Sequence, residues 1–349
     1  MSQTPALTPV RSQHRFDEAA LARYLATHVD GFGGTLNVRQ FEGGQSNPTF
    51  CLDAGGREFV MRKQPPGQLL PSAHQVDREY RVMHALAGSD VPVPRMYASC
   101  EDTSVIGTKF YVMEKVEGRV FTDVLLVGLT NDERRTIYRE LVRVLAALHS
   151  VDHIAVGLED FGRPGNYYSR QISRWSKQYV ASKTEEIPAM DKLMAWLPEH
   201  VPTADETVIV HGDFRLGNVL IHPTQPKIVA VLDWELSTLG HPLADLGYMC
   251  MDYHSDSYNS AGLAGADLAT LGIPSEEELL ADYCRFAKRA PIENWHFYVT
   301  YNMFRSAAII QGVYKRGVDG NASSTMALGY KDVCRMRAER GWALAQKAS

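Results

Sequence analysis

The sequence predicts an α+β chain built as two lobes, a small β-rich one followed by a larger, mostly helical one. Three observations predict it. The 349 residues exceed one ordinary domain and suit two units. The 45% hydrophobic and 22% charged fractions are those of a globular chain with a sizeable core. The texture also changes near residue 117, where short strand-like runs punctuated by Gly and Pro give way to long helical periodicity. Residues 1–15, with Pro5, Pro9 and few large apolar groups, read as a disordered lead-in. Residues 16–116 then form the β-rich lobe and 117–349 the helical lobe.

Asp17 is the predicted N-cap of a first helix with Leu21 and Leu25 on its inner face. Residues 36–41 and 49–52 read as a hairpin around a turn at 42–47, and a third strand follows Gly55-Gly56 over 58–63. Val76, Glu79, Met83 and Leu86 fall at helical spacing, which predicts a helix over 73–87. Residues 91–94 lead into an extended segment, and a β-rich run at 109–113 is broken by Glu117-Gly118. Thr130 and Glu133 form a capping box for a helix over 130–149, cored by Ile137, Leu141, Val144 and Leu148. Apolar runs at 207–210, 219–221 and 228–232 are strands framing a loop. Ser275 and Glu278 cap a helix over 275–289, and two more helices occupy 292–315 and 322–347.

Composition excludes several functions. The formal net charge of -5, from 36 basic and 41 acidic residues, argues against nucleic acid as a partner. No apolar run reaches the ~18–20 residues of a membrane span. Cys51, Cys100, Cys250, Cys284 and Cys334 are scattered, with no C-x-x-C pair, so neither a disulfide framework nor zinc is expected. That pattern and the absence of an apolar run at the N-terminus lead us to expect a cytoplasmic chain.

The stretch richest in chemistry is 208–221. An apolar strand delivers His211-Gly212-Asp213, Asn218 follows five residues after the Asp, and Asp233-Trp234-Glu235 closes the next strand. A hydroxyl nucleophile needs a carboxylate to orient it and take its proton, and Mg²⁺ needs hard oxygen ligands. Asp213 fits the first role; Asn218 and Asp233 fit the second. The order matches the H-R-D-x-x-x-x-N then D-F-G order of protein kinases, with Gly in place of Arg and Trp-Glu in place of Phe-Gly.

Upstream residues supply candidates for an ATP site. Gly43, Gly44, Gln45, Ser46 and Asn47 occupy the hairpin turn, where backbone N–H groups could cradle phosphate, although Gly-Gly also serves as a plain turn. The third strand offers Arg62 as the preferred phosphate-pairing cation and Lys63 as the alternative, on opposite faces of the strand. Glu79, on a core-facing helical stripe, requires a partner, and the strand cation is the expected one. Met113, Glu114 and Val116 lie where the strand becomes a flexible link, which suits a hinge whose backbone pairs with adenine.

On these motifs the chain resembles the aminoglycoside phosphotransferase-like kinases, relatives of choline kinase and protein kinases, from about Phe41 onward. The resemblance implies a bilobal protein-kinase-like fold with ATP between the lobes. It implies Asp213 as base, Asn218 and Asp233 as Mg²⁺ ligands, His211 as an orienter within the catalytic set, and Asp245 as a prop for the catalytic loop. Asp245 also reads as a helix N-cap. The segments Arg62-Lys63-Gln64-Pro65-Pro66-Gly67, 71–80 and Gly165-Asn166-Tyr167-Tyr168-Ser169-Arg170-Gln171 look like the kinase domain found fused to some acyl-CoA dehydrogenases. That subfamily is similar to kinases acting on 4-hydroxyacyl-CoA, which implies an acyl-CoA-like small-molecule substrate.

Local charge bears on the same point. Residues 161–184 hold Arg163, Arg170, Arg174, Lys177 and Lys183 with no acid, and interleave Tyr167, Tyr168, Trp175 and Tyr179. Such a segment suits a phosphate-rich, adenine-bearing ligand, with Tyr168, Arg170 and Arg174 as contacts. It reads equally as a solvated helix face with Ile172, Trp175 and Tyr179 buried. Arg305, set among apolar groups on a late helix, is either a substrate contact or a buried structural pair. The alternatives to an acyl-CoA kinase are an aminoglycoside or choline-like amino-alcohol kinase, and a catalytically silent nucleotide-binding module.

Overall fold

The structure is a computed structural model and describes residues 6–42, 47–66, 74–256, 262–320 and 325–347. Its first sheet has six antiparallel strands in the order β1-β2-β3-β4-β6-β5. These are β1 (Leu7–Thr8), β2 (Leu36–Phe41), β3 (Thr49–Ala54), β4 (Arg57–Lys63), β5 (Met96–Cys100) and β6 (Phe110–Glu114). Strand alternation gives the sheet two apolar faces. Phe59 and Met61 of β4 join Phe50, Leu52, Phe110 and Val112 under Leu21 and Leu25 of α1 (Glu18–His28). Val60 of β4 and Tyr111 of β6 meet Val82, Met83 and Leu86 of α2 (Val76–Leu86).

The expected disordered lead-in is corrected for the residues described. Leu7 and Thr8 add a strand to β2, opposite Phe41 and Gln40. The buried Gln40 side chain accepts the Arg11 N–H at 3.1 Å and meets His14 Nδ1 at 2.8 Å, which fixes the segment to the sheet edge.

Beyond β6 the chain is mostly helical: α3 (Asn131–His149), α4 (Tyr167–Ser182), α5 (Pro188–Glu199), α6 (Pro242–Met249), α7 (Leu268–Leu271), α8 (Glu276–Phe286), α9 (Trp295–Val318) and α10 (Lys331–Ala345). Both expected capping boxes form, at Thr130/Glu133 and Ser275/Glu278. Two small antiparallel ribbons hold the loops between α5 and α6. One pairs β7 (Val208–Val210) with β10 (Thr238–Gly240); the other pairs β8 (Val219–Ile221) with β9 (Ile228–Val231). Helix α5 lies in a segment that carries no helical expectation above, and α6 begins ahead of the cap that Asp245 offered. Each starts with Pro at the first helical position, where its missing N–H costs nothing. The helix expected over 322–347 is instead a 3-10 turn at Thr325–Tyr330 followed by α10.

Candidate active site

The loop after β7 is held from both sides. Gly212 adopts φ +84°, a left-handed conformation that favours glycine. Its N–H donates to Asp245 Oδ1 at 2.8 Å, and the His211 N–H donates to Asp245 Oδ2 at 2.6 Å. The Gly212 carbonyl accepts from Arg305 Nη2 at 2.7 Å. Asp245 thus props the loop from α6; the N-cap of that helix is His241, whose ring accepts the Leu243 N–H. Burial works to raise the Asp245 carboxyl, but His149, His211 and the Gly212 N–H outweigh it and hold it below the ordinary range.

Asp213 emerges at the end of this clamp, and Asn218 Nδ2 donates to its Oδ2 and to its backbone carbonyl, both at 2.8 Å. The Asn218 amide is thereby oriented with its oxygen turned away from the Asp213 carboxylate. Arg215 Nε lies 3.6 Å from Asp213 Oδ1. Tyr248 of α6 also faces Asp213; burial and then that carboxylate push its phenol above its ordinary range. His211 is fully buried. Its Nδ1 accepts the Asp213 N–H at 3.2 Å and its Nε2 meets the Leu232 carbonyl at 2.9 Å. Its place in the catalytic set is therefore corrected: it is a positioning residue that ties the Asp213 loop to the strand end carrying Asp233.

Asp233 follows β9 with φ +65°, and its carboxylate turns toward the first sheet. There Arg62 Nη2 meets Asp233 Oδ1 at 2.9 Å, and Arg62 Nη1 meets Glu79 Oε2 at 3.1 Å. Burial pushes the Glu79 carboxyl up, to about 7, against the pull of Arg62. Although desolvated, Arg62 is held charged by Glu79, Tyr111 and Asp233. The choice between Arg62 and Lys63 is settled as to pairing: Lys63 lies on the opposite face, over the Phe16 ring. Its assignment to the nucleotide site is corrected, because strand alternation points it at the α1 side.

Asn47 turns its side chain inward, which leaves the expectation for its backbone N–H as it was. Its Nδ2 donates to Glu79 Oε1 at 2.9 Å and its Oδ1 meets His74 Nδ1 at 3.1 Å, so it braces Glu79 from within the protein. Gly43, Gly44, Gln45 and Ser46 lie outside the described residues. At the strand end, Met113 is buried and the Glu114 N–H is taken by the Arg95 carbonyl at 2.8 Å. The Glu114 side chain turns back onto the Arg95 N–H. Val116, two residues on, has no hydrogen-bond partner for its backbone among the described residues, so the link keeps a free donor and acceptor.

The basic segment divides along its helix. The Tyr168 ring is buried against His241, Phe297 and Tyr301, so its assignment as a substrate contact is corrected: it belongs to the α4–α9 core. Arg305 is corrected in the same way, since it is spent on the Gly212 carbonyl and stacks between Trp175 and Tyr248. Arg174 is exposed and Arg170 half-buried; Arg170 Nη2 donates to the Arg163 carbonyl at 2.6 Å, and Arg174 lies over Trp175.

The residues that clamp Gly212 and face Asp213, namely Arg305 and Tyr248, were not legible as such. They lie 93 and 35 residues from the groups they meet, and only the buried charge of Arg305 gave a signal.

The donor set suits a hard cation. The Asn218 oxygen and the Asp233 carboxylate are the oxygens Mg²⁺ takes in ones and twos alongside phosphate and water. Among the described residues no cluster of three or more His, Cys, Asp or Glu forms a self-sufficient metal site. No helix among them is long and apolar enough to cross a membrane.

Comparison with known proteins places this geometry. The model of the phosphotransferase enzyme family matches residues 37–283. Acyl-CoA dehydrogenase family member 10 of Mus musculus is 45% identical over 349 residues, covering 98% of this chain and 32% of that protein. Family member 11 of Homo sapiens is 44% identical, covering 98% and 44%. The chain thus spans less than half the length of these relatives. A crystal structure from Ralstonia eutropha, provisionally described as an aminoglycoside phosphotransferase, is 53% identical with a TM-score of 0.89, covering 95% of this chain and 99% of that one. An aminoglycoside phosphotransferase mutant in complex with ADP and hygromycin B superposes with a TM-score of 0.59 at 16% identity, covering 94% and 98%, and shares the fold.

Proposed function

This chain belongs to the phosphotransferase enzyme family, and from that premise we propose that it transfers the γ-phosphoryl group of ATP to a hydroxyl of a small molecule. The observation that carries the reading is the clamped loop that holds Asp213 and Asn218 side by side, across from Asp233 and its Arg62–Glu79 pair. Asp213 orients the acceptor hydroxyl and takes its proton as the hydroxyl oxygen bonds to the γ-phosphorus. The bond from that phosphorus to the β-phosphate oxygen breaks, and ADP leaves. Asn218 fixes the Asp213 carboxylate through its amide N–H, and its oxygen with Asp233 would hold Mg²⁺. When bound, Mg²⁺ neutralises charge on the phosphate oxygens. Arg62, anchored by Glu79, would supply a fixed cation facing that charge. The backbone of Val116 would pair with adenine in the link between a nucleotide lobe ending near residue 116 and a catalytic lobe after it.

For the acceptor we favour a hydroxyacyl-CoA. The mouse and human relatives above are acyl-CoA dehydrogenase family members, and the exposed half of α4 is basic rather than acidic, which suits an anionic acceptor. The test follows ATP consumption with 4-hydroxyacyl-CoAs, aminoglycosides and amino alcohols side by side. Turnover of aminoglycosides alone refutes the acceptor. In Asp213→Asn, turnover falls by roughly 10²–10⁴-fold while Mg·AMP-PNP still binds. Wild-type turnover in that variant refutes the mechanism.

A further inference from the structure

Arg78, Arg170 and Gln171, which fall within segments that carried the closer resemblance, line a cleft that the mechanism above leaves unused. It has a volume of about 370 Å³ and lies between α2, the 160–163 loop, the first turn of α4 and β10, with Arg78, Arg163, Arg170, Gln171 and Thr238 among its lining. β10 ties the cleft to the catalytic loop. Thr238 pairs with Val210, the residue before His211, and Ser237 Oγ donates to the Val210 carbonyl at 2.8 Å.

The cleft is rich in donors and poor in acceptors. Arg78 is preset: it stacks on Phe161 at 4.1 Å and donates to the carbonyls of Phe161 at 2.5 Å and Ser237 at 3.3 Å. Arg170 is anchored through the Arg163 carbonyl. Gln171 has its oxygen occupied by Trp175 Nε1 at 3.1 Å, so its amide N–H₂ is the end left to donate. None of Arg78, Arg163 and Arg170 forms an ion pair with a carboxylate among the described residues. Two acids are close, Asp160 in the lining itself and Asp77 on α2, and neither pairs with these arginines. Asp160 is bound by Arg81, and Asp77 lies 3.9 Å from Lys109. Burial, and then the like charge of Arg81, lower the Arg78 guanidinium, while Asp77 and Asp160 oppose them more weakly.

We propose that this cleft is an anion subsite that holds the phosphate-bearing nucleotide end of the acceptor through Arg78, Arg163 and Arg170. It rests on the reading of the acceptor as a CoA thioester, which has a 3′-phosphate and a diphosphate to offer. Several guanidinium groups around one concave site, with backbone carbonyls fixing two of them, match the geometry of phosphate rather than of an amino sugar.

The experiment measures binding of adenosine 3′,5′-bisphosphate to the whole chain saturated with Mg·AMP-PNP, so that the nucleotide site is filled. The wild type binds it. Arg163→Glu and Arg170→Glu weaken it at least tenfold, and Arg163→Gln weakens it less. Lys177→Glu, a charge reversal on the exposed face of the same helix, changes it less than twofold. The proposal is overturned if the wild type does not bind once AMP-PNP is present, if the arginine variants bind like wild type, or if Lys177→Glu weakens binding equally. A second arm separates this subsite from the proposed function. Turnover of a hydroxyacyl-CoA with a KM unmoved by Arg163→Glu overturns the subsite and leaves the function standing. Bisphosphate binding by the wild type that is lost in the arginine variants, in an enzyme that turns over no CoA thioester, keeps the anion subsite and overturns the acceptor.

Discussion

Gly212→Ala strains the catalytic loop at the point where it is clamped. A β-carbon on Gly212 would lie 2.6 Å from the Leu236 carbonyl oxygen and 2.9 Å from the Leu236 Cβ, at a backbone φ of +84°. An alanine in left-handed backbone costs about 1–2 kcal/mol. The loop cannot rotate away without releasing Asp245 and Arg305, charge-assisted bonds worth roughly 1.5–3 kcal/mol each. Displacing the Leu236 segment is cheaper, at about 1–3 kcal/mol for overpacking. The total is about 2–5 kcal/mol. Unfolding entropy of roughly 2.1 cal/mol/K per residue turns that into a fall of about 3–7 °C in the melting midpoint of a chain this long. Leu236 follows Asp233 by three residues, so the displacement also moves the carboxylate that meets Arg62. Calorimetry and a titration with Mg·AMP-PNP read both effects, and nucleotide affinity should fall along with the midpoint. Gly128→Ala is the control: φ there is +94° with nothing within 4 Å, so it carries backbone strain alone and leaves nucleotide affinity as it is. A Gly212→Ala protein that melts with the wild type and binds nucleotide equally well would refute the clamp.

Three further outcomes are expected. Asp245→Asn keeps the shape but sets an amide against the N–H groups of His211 and Gly212, so stability drops by about 1–3 kcal/mol in denaturant titration; an unchanged midpoint counts against the prop. Arg62→Met leaves Glu79 buried without its cation and costs about 3–5 kcal/mol, whereas Lys63→Met, which breaks no carboxylate pair among the described residues, stays within about 1 kcal/mol; equal losses would contradict the assignment of faces. Burial, with Arg289 nearby, lowers the His241 ring to about 4. The unfolded chain gains that proton near 6.5 and the folded chain only near 4. Stability is therefore full above about 6.5 and falls as pH drops through that window, by up to about 3 kcal/mol. His241→Asn, which keeps a cap for α6, should flatten this part of a stability–pH curve, and an unaltered slope would rule the ring out.

Much of the architecture is written in short-range signals. Thr130 with Glu133, and Ser275 with Glu278, announce their helices because both partners sit within one turn. Asp213 and Asn218 meet because one tight loop carries both. What the sequence could not show is decided by faces and distant partners. Arg62 and Lys63 are adjacent in sequence, and only the packing of α1 and α2 on opposite sides of the sheet separates them. Tyr168 and Arg170 share a basic segment, yet helical rotation sends the ring into the core and the guanidinium to the cleft. The start of helix α6 was hidden by its small Pro-Leu-Ala-Asp-Leu-Gly composition, although the helix carries both Asp245 and Tyr248. The Gly43–Ser46 turn stays an expectation.

Arg305 has a consequence for how the protein is made. It sits on α9, and α9 is seated by α10, where Gly341 lets the Met303 Cβ approach to 3.0 Å of a β-carbon position and its carbonyl faces Thr300 Oγ1 at 3.5 Å. Synthesis runs past Asp245 for roughly a hundred residues before α10 is complete, about 5–20 s at ordinary elongation rates. During that interval the nascent chain contains Asp213, Asn218, Asp233 and Asp245 but lacks the helix that backs α9 at Met303 and Thr300. The groups around Asp213 are thus translated before Arg305, so the clamp on the Gly212 carbonyl is the last of the loop's supports to be made.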